Sequence, residues 1–173
     1  MTNETLETIK NRRSCRAYKP EQITNEELDA VLEAGTYAAS AMGRQSAKIV
    51  VVQDAAARAQ LTRMNAAVMG RDTDPMYGAP TILVVLADAH AANAVPDGSL
   101  VMGNLMLAGA SLGLGSCWIN RAKEEFETEE GKALLRQWGI EGDWVGIGHC
   151  ILGYPAADPK PAAPRKPDYI VKV

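Results

Sequence analysis

The sequence predicts a soluble domain in which helices cover both faces of a sheet. Three observations carry that expectation. Residues 81–87, Thr-Ile-Leu-Val-Val-Leu-Ala, are apolar at odd and even positions alike, so a strand built from them needs cover on both sides. Residues 48–52 and 144–152 supply further strands, the first a β-branched run and the second with glycines at alternate positions. The segments between them carry helical periodicity and helix caps. A length of 173 residues is enough for one domain, 1–173, with a substantial core.

The first helix spans residues 2–11, with Leu6 and Ile9 on one face, and Lys19-Pro20 stops any continuation because proline has no amide hydrogen. Thr24 and Glu27 form a capping-box pattern ahead of a helix running to about residue 39, whose inner face is Leu28, Val31, Leu32, Gly35 and Ala39. The loop 40–46 leads into the strand 48–52. Asp54 caps a third helix carrying Leu61, Met64 and Val68 and ending near Gly70, and residues 71–78 read as a loop.

Residues 100–119 are twenty positions without a charge. That length would span a bilayer, but Asn104, Ser111 and clustered glycines favour a buried helix over 99–112, stopped by Gly113 and followed by a strand at 116–119. A helix apolar all round is buried deeply, often against a partner subunit. A further helix covers 129–138, capped by Thr128 and closed by Gly139. Five of the nine prolines lie between Pro155 and Pro167, making that segment extended and stiff. Tyr169-Ile-Val-Lys-Val173 then reads as a strand that adds to the edge of another sheet.

Asn11-Arg12-Arg13-Ser14-Cys15-Arg16-Ala17-Tyr18 concentrates cations on a turn. Forked guanidinium donors suit a phosphate; the alternative is solvated arginines complementing the negative end of the first helix. A net charge of -3 argues against general binding to nucleic acid or membrane surfaces and makes this cluster local. Cys15, Cys117 and Cys150 form neither a disulfide framework nor a metal-ligand spacing, which fits a reducing, cytoplasmic setting. His149 and Cys150 point to opposite faces of one strand and read as core residues rather than a catalytic pair. Gly113-Leu-Gly115 follows a helix and Gly146-Ile-Gly148 lies inside a strand, so neither is a dinucleotide fingerprint.

Four stretches in this order resemble the FMN-dependent nitroreductase family: residues 12–18, residues 39–46, residues 111–120, and Leu152-Gly-Tyr-Pro155 followed by Arg165-Lys166-Pro167. The resemblance implies an α+β fold, a mixed central sheet flanked by helices, in an intertwined homodimer with FMN at the subunit boundary. It implies that Arg12, Arg13, Ser14 and Arg16 hold the flavin phosphate and pyrimidine edge, and that Arg165 reaches the same phosphate from the far end of the chain. Ser40 and Gln45 match positions that approach from the other subunit. Trp118, Ile119 and Asn120 match the segment lying along the flavin ring. Asn65 stays unassigned, and the chain departs from the family pattern at Ala39, Gly43 and Ser46.

The activity implied is hydride transfer from NAD(P)H through FMN to a small organic acceptor, a nitroaromatic, quinone, enone or flavin, by alternating use of one site. The cofactor carries the chemistry, so no side chain is named as a catalytic acid or base, and no metal is needed. The alternatives are a flavin-binding sensor or carrier and a cofactor-free structural dimer. An enzyme of phosphate esters would also use the arginines, but the sequence offers it no credible nucleophile or metal site.

Overall fold

The strand that reads apolar on both faces becomes the middle of the sheet. In a computed structural model describing all 173 residues, β2 (Thr81–Asp88) pairs antiparallel with β1 (Ala47–Val52) and with β4 (Trp144–Gly153), and β3 (Gly115–Ile119) pairs antiparallel with β4. The order is β1-β2-β4-β3. Parallel pairing is confined to a single bridge, between Ser14 and Ser116.

Ile82 to Ala87 are completely buried, because alternate side chains feed two separate cores. Ile82, Val84 and Leu86 pack with Leu61 and Met64 of α3 (Ala55–Met69), Phe126 of α5 (Ala122–Glu127), and Leu134 and Leu135 of α6 (Glu129–Gln137). Leu83 and Val85 pack with Leu28 and Val31 of α2 (Asn25–Thr36) and with Val101, Met102 and Leu105 of α4 (Ala94–Ser111). The architecture is α+β, with helices on both faces of one antiparallel sheet.

The caps read from the sequence are formed. Thr24 Oγ1 accepts from the Glu27 amide at 3.2 Å while the Glu27 carboxylate accepts from the Thr24 amide at 2.9 Å. Asp54 accepts from the Ala57 amide at 2.9 Å, and α3 closes on Gly70 at φ 66°. Thr128 accepts from the Gly131 amide at 3.0 Å.

Several boundaries differ from expectation. The second helix stops at Thr36, short of residue 39. The apolar helix α4 begins at Ala94 rather than near residue 99: Pro96 falls in its first turn, where a missing amide hydrogen costs nothing. It is also not apolar throughout, for Asp97 is buried in it. The six-residue α5 has no counterpart in the sequence reading; only Ala122, Glu125 and Phe126 face inward. Residues 169–173 form no strand within the chain and are exposed. The first helix, α1 (Glu4–Asn11), buries no residue. No helix of the chain is long and apolar enough to cross a membrane.

β4 carries an irregularity where Val85 and Leu86 pair with Gly148 and Gly146, leaving Ile147 over. A Cβ on Gly146 would lie 2.3 Å from the carbonyl carbon and oxygen of Ala122, so this glycine lets the start of α5 press against the sheet. Gly146→Ala meets backbone that cannot rotate aside. It is expected to cost about 1–3 kcal/mol or more, read as a lower urea midpoint.

The Glu27 carboxyl is held below its ordinary value of 4.5 first by the Tyr154 hydroxyl, which donates to it at 2.7 Å, and then by the Thr24 amide. A carboxyl depressed in the folded state contributes stability above its unfolded value, and that stability is lost as pH falls through the folded value. Glu27→Gln is therefore expected to be less stable than the parent at pH 7, with the gap closing below about pH 4.5 in pH-resolved denaturation.

Candidate functional site: an arginine cleft at the start of β3

At the end of α1 the chain turns extended at Arg12 and is stitched between two strands. The Cys15 amide donates to Ser116 O at 2.8 Å, the Lys19 amide to Tyr154 O at 2.9 Å, and the Ala156 amide to Ala17 O at 2.9 Å. Tyr18 locks the turn by donating its hydroxyl to Cys15 O at 2.9 Å, and burial pushes its phenol up, so it stays a donor. Gly115 makes room for the passage: a Cβ there would stand 2.6 Å from Cys15 Sγ.

This path opens a cleft of about 1030 Å³ lined by Arg12, Arg13, Ser14 and Arg16, by Ser111 at the end of α4, and by Pro155 and residues 157–161, which bring in Asp158 and Lys160. Arg13 does what the bland reading of the cluster expects: its Nη1 donates to Lys10 O at 2.6 Å and Arg12 O at 2.7 Å, closing the α1 carbonyls. The rest of the cluster is unspent. Arg12 Nη1 and Arg13 Nε are buried without a hydrogen-bond partner, and an unpaired buried donor on a cation is costly. An anion with several oxygens, such as a phosphate, fits these donors.

Ser40 and Gln45 line a different hollow of about 340 Å³, between α2, β1 and α4. The loop there is held by one buried carboxylate. Asp97 Oδ1 accepts from the Ala41 amide at 3.0 Å and Oδ2 from the Ser46 hydroxyl at 3.0 Å. Ser40 Oγ accepts from the Gln45 amide at 3.0 Å. Met42 and Gln45 take left-handed φ of 55° and 50°. Ser46, one of the departures from the expected pattern, thus tethers the loop through Asp97.

Trp118, Ile119 and Asn120 lie at the exit of β3, lining neither hollow. Trp118 is half-buried with an unpartnered Nε1, Ile119 is buried, and Asn120 is exposed with its carbonyl accepting from Asn65 Nδ2 at 2.8 Å. Arg165 is exposed and donates through Nε to Ala163 O at 3.2 Å. Within one chain it does not join Arg12; Lys160 is the cation that the C-terminal segment brings to the cleft.

Sequence reasoning left Asn65 without a role, read His149 as packing, and missed Glu125. The three form one buried cluster, His149 Nε2 lying 3.1 and 3.0 Å from the Glu125 oxygens. The available signal was a polar residue on the inner stripe of α3 with Leu61 and Met64; Glu125 had none, because α5 went unread. His149 and Cys150 do face opposite cores. Burial pushes the Cys150 thiol up to about 12, which leaves it unreactive near neutrality.

A family model described as the nitroreductase family matches residues 9–154. A protein of Archaeoglobus fulgidus, provisionally named NADH dehydrogenase/NAD(P)H nitroreductase, is 34% identical over 157 residues, 88% of this chain and 86% of that protein. A crystal structure of a nitroreductase with bound FMN from Bacteroides fragilis is similar with a TM-score of 0.91 and 33% identity, over 99% of this chain and 100% of that one. Another, from Desulfitobacterium hafniense and also with bound FMN, has a TM-score of 0.89 and 26% identity over 100% of both chains.

Removing the Asp97 carboxylate frees both ends of the 40–46 loop. Asp97→Ala is expected to lose about 2 kcal/mol or more in urea denaturation, since bonds to a charged acceptor are worth about 1.5–3 kcal/mol. Asp97→Asn, whose oxygen can face Ala41 and whose amide can face Ser46, is expected to lose less than half as much.

Proposed function

This chain belongs to the nitroreductase family of flavin oxidoreductases, and from that premise we propose that it binds FMN and uses it to pass hydride from NADH or NADPH to a small organic acceptor. The observation that carries the reading is the pair of unspent donors, Arg12 Nη1 and Arg13 Nε, buried at a cleft that Ser14, Arg16 and Lys160 share. They fit a ribityl phosphate. When bound, FMN supplies reversible two-electron chemistry, with donor and acceptor using one pocket in turn.

The chain's own residues then have four tasks. Arg12, Arg13, Ser14 and Arg16 bind the phosphate and the pyrimidine edge. The backbone at Trp118, Ile119 and Asn120 supports the ring. Ser40 and Gln45 complete the pocket from a second copy, a reading supported by their lying in a separate hollow of the single chain. Arg165 joins from the C-terminal segment of the dimer. Fixed donors near the pyrimidine favour an anionic reduced ring, as preorganised donors favour developing charge elsewhere. No acid or base is assigned. The acceptor class covers nitroaromatics, quinones, enones and free flavins. The same proposal makes residues 1–173 one functional domain and places the protein in the cytoplasm, where its three free cysteines stay reduced.

Anaerobic stopped-flow reduction tests this. The FMN-loaded protein is expected to bleach on mixing with NADH or NADPH and to recover its colour with an acceptor from that panel. Yellow protein that neither nucleotide bleaches would indicate a carrier or sensor; protein that cannot be reconstituted with FMN would indicate a structural dimer. Arg12→Ala is expected to raise the Kd for FMN about tenfold or more, the worth of a charge-assisted bond, and Arg165→Ala to weaken retention in the same direction. Unchanged FMN affinity in both variants would place the phosphate elsewhere.

A further inference from the structure

We propose that Asn65, Glu125 and His149 act as a clamp that fixes the backbone where β3 ends, making them positioning residues for the stretch assigned above to the flavin ring. The link to the flavin rests on the proposed function; the clamp itself rests on geometry. Asn65 is fully buried and every polar atom of its amide is used. Nδ2 donates to Asn120 O at 2.8 Å and to the Glu125 carboxylate, and Oδ1 accepts from Arg121 Nε at 2.9 Å. One side chain from α3 thus grips two consecutive residues of the exit.

The exit needs gripping. Arg121 stands at φ 80°, ψ 2°, a left-handed conformation that a residue with a Cβ adopts only when its surroundings hold it there. The turn lets β3 run directly into α5, and the Glu125 amide bonds back to Arg121 O at 2.9 Å. Glu125 in turn is completely buried, and its partners are His149 and Asn65. His149 sits on β4 in register with Ile119, the last residue of β3. The cluster therefore ties α3, α5 and β4 together around the β3 exit.

Replacing buried polar groups by well-packed hydrophobic side chains of similar volume is often neutral or stabilising, so stability alone does not account for this cluster. What an apolar filling cannot do is hold a carbonyl and a left-handed turn in one orientation. That is the requirement of a segment meant to lie along a planar ring within a fraction of an ångström.

Trypsin reads the clamp without any flavin, since it cuts after Arg121. In the flavin-free full-length protein, Asn65→Leu is expected to be cut at Arg121 at least tenfold faster than the parent. Glu125→Gln, which keeps an oxygen toward Asn65, is expected to stay within threefold. Leu61→Ala, a packing change on the same helix, separates local release from general loosening. Equal acceleration in Asn65→Leu and Leu61→Ala, or none in Asn65→Leu, overturns the clamp. With FMN bound, Asn65→Leu is expected to keep the Kd for FMN within threefold while the limiting rate of reduction at saturating NADH or NADPH falls at least tenfold. Parent-like reduction of a variant that is cut faster overturns the positioning role. A parent protein that takes up no FMN overturns the proposed function and leaves the proteolysis result to decide the clamp.

Discussion

Complete burial of β2 is the constraint from which the rest of the structure follows. Six consecutive residues, Ile82 to Ala87, have no contact with solvent. A strand in that state must lie inside the sheet, with a strand on either edge and a helical layer on each face. β1 and β4 meet the first demand, α2 and α4 one half of the second, and α3, α5 and α6 the other half. β3 is left at the far edge, paired only with β4 along its length. That edge is where the N-terminal arm can reach in, through the bridge of Ser14 to Ser116.

The candidate site grows out of this edge. The arm from Arg12 to Tyr18 is anchored by backbone bonds to the start of β3 and the end of β4, so its arginines are carried by the sheet rather than by a free loop. One of them divides its duties: Arg13 spends Nη1 on the helix carbonyls and keeps Nε in reserve. The cap role is met by one atom of the cluster, while the donors that the proposed anion would use are left unpaired. The two glycine contacts on β3 and β4 serve the same arrangement, Gly115 by admitting Cys15 and Gly146 by admitting the start of α5.

Two of the buried polar residues hold irregular backbone in place. Asp97 holds both ends of the loop at Ser40 and Gln45, and Asn65 holds the exit of β3. Each reaches from a helix to a segment of irregular backbone. Burying a carboxylate or an amide is tolerable when every lone pair and proton finds a partner. The reward is shape: irregular segments that packing alone would leave free to vary are given one conformation.

Sequence by itself determined the elements whose signals are local. Caps at Thr24, Asp54 and Thr128, the stop at Gly70, the two-faced strand at 81–87 and the cation cluster at Arg12 to Arg16 were all legible, because each depends on residues within a turn or two of one another. The α+β fold class followed from the resemblance carried by four motifs in register rather than from any single one, while the order of the strands was not legible. Tertiary structure alone decided the rest. α5 hides among charges, because three inward residues in six make no readable period. Asn65, Glu125 and His149 meet from three separate elements, and which donors of Arg12 and Arg13 remain unpaired is visible only in the folded chain. Local patterns reveal what a segment becomes; only folding reveals which buried hydrogen bonds are left for it to make.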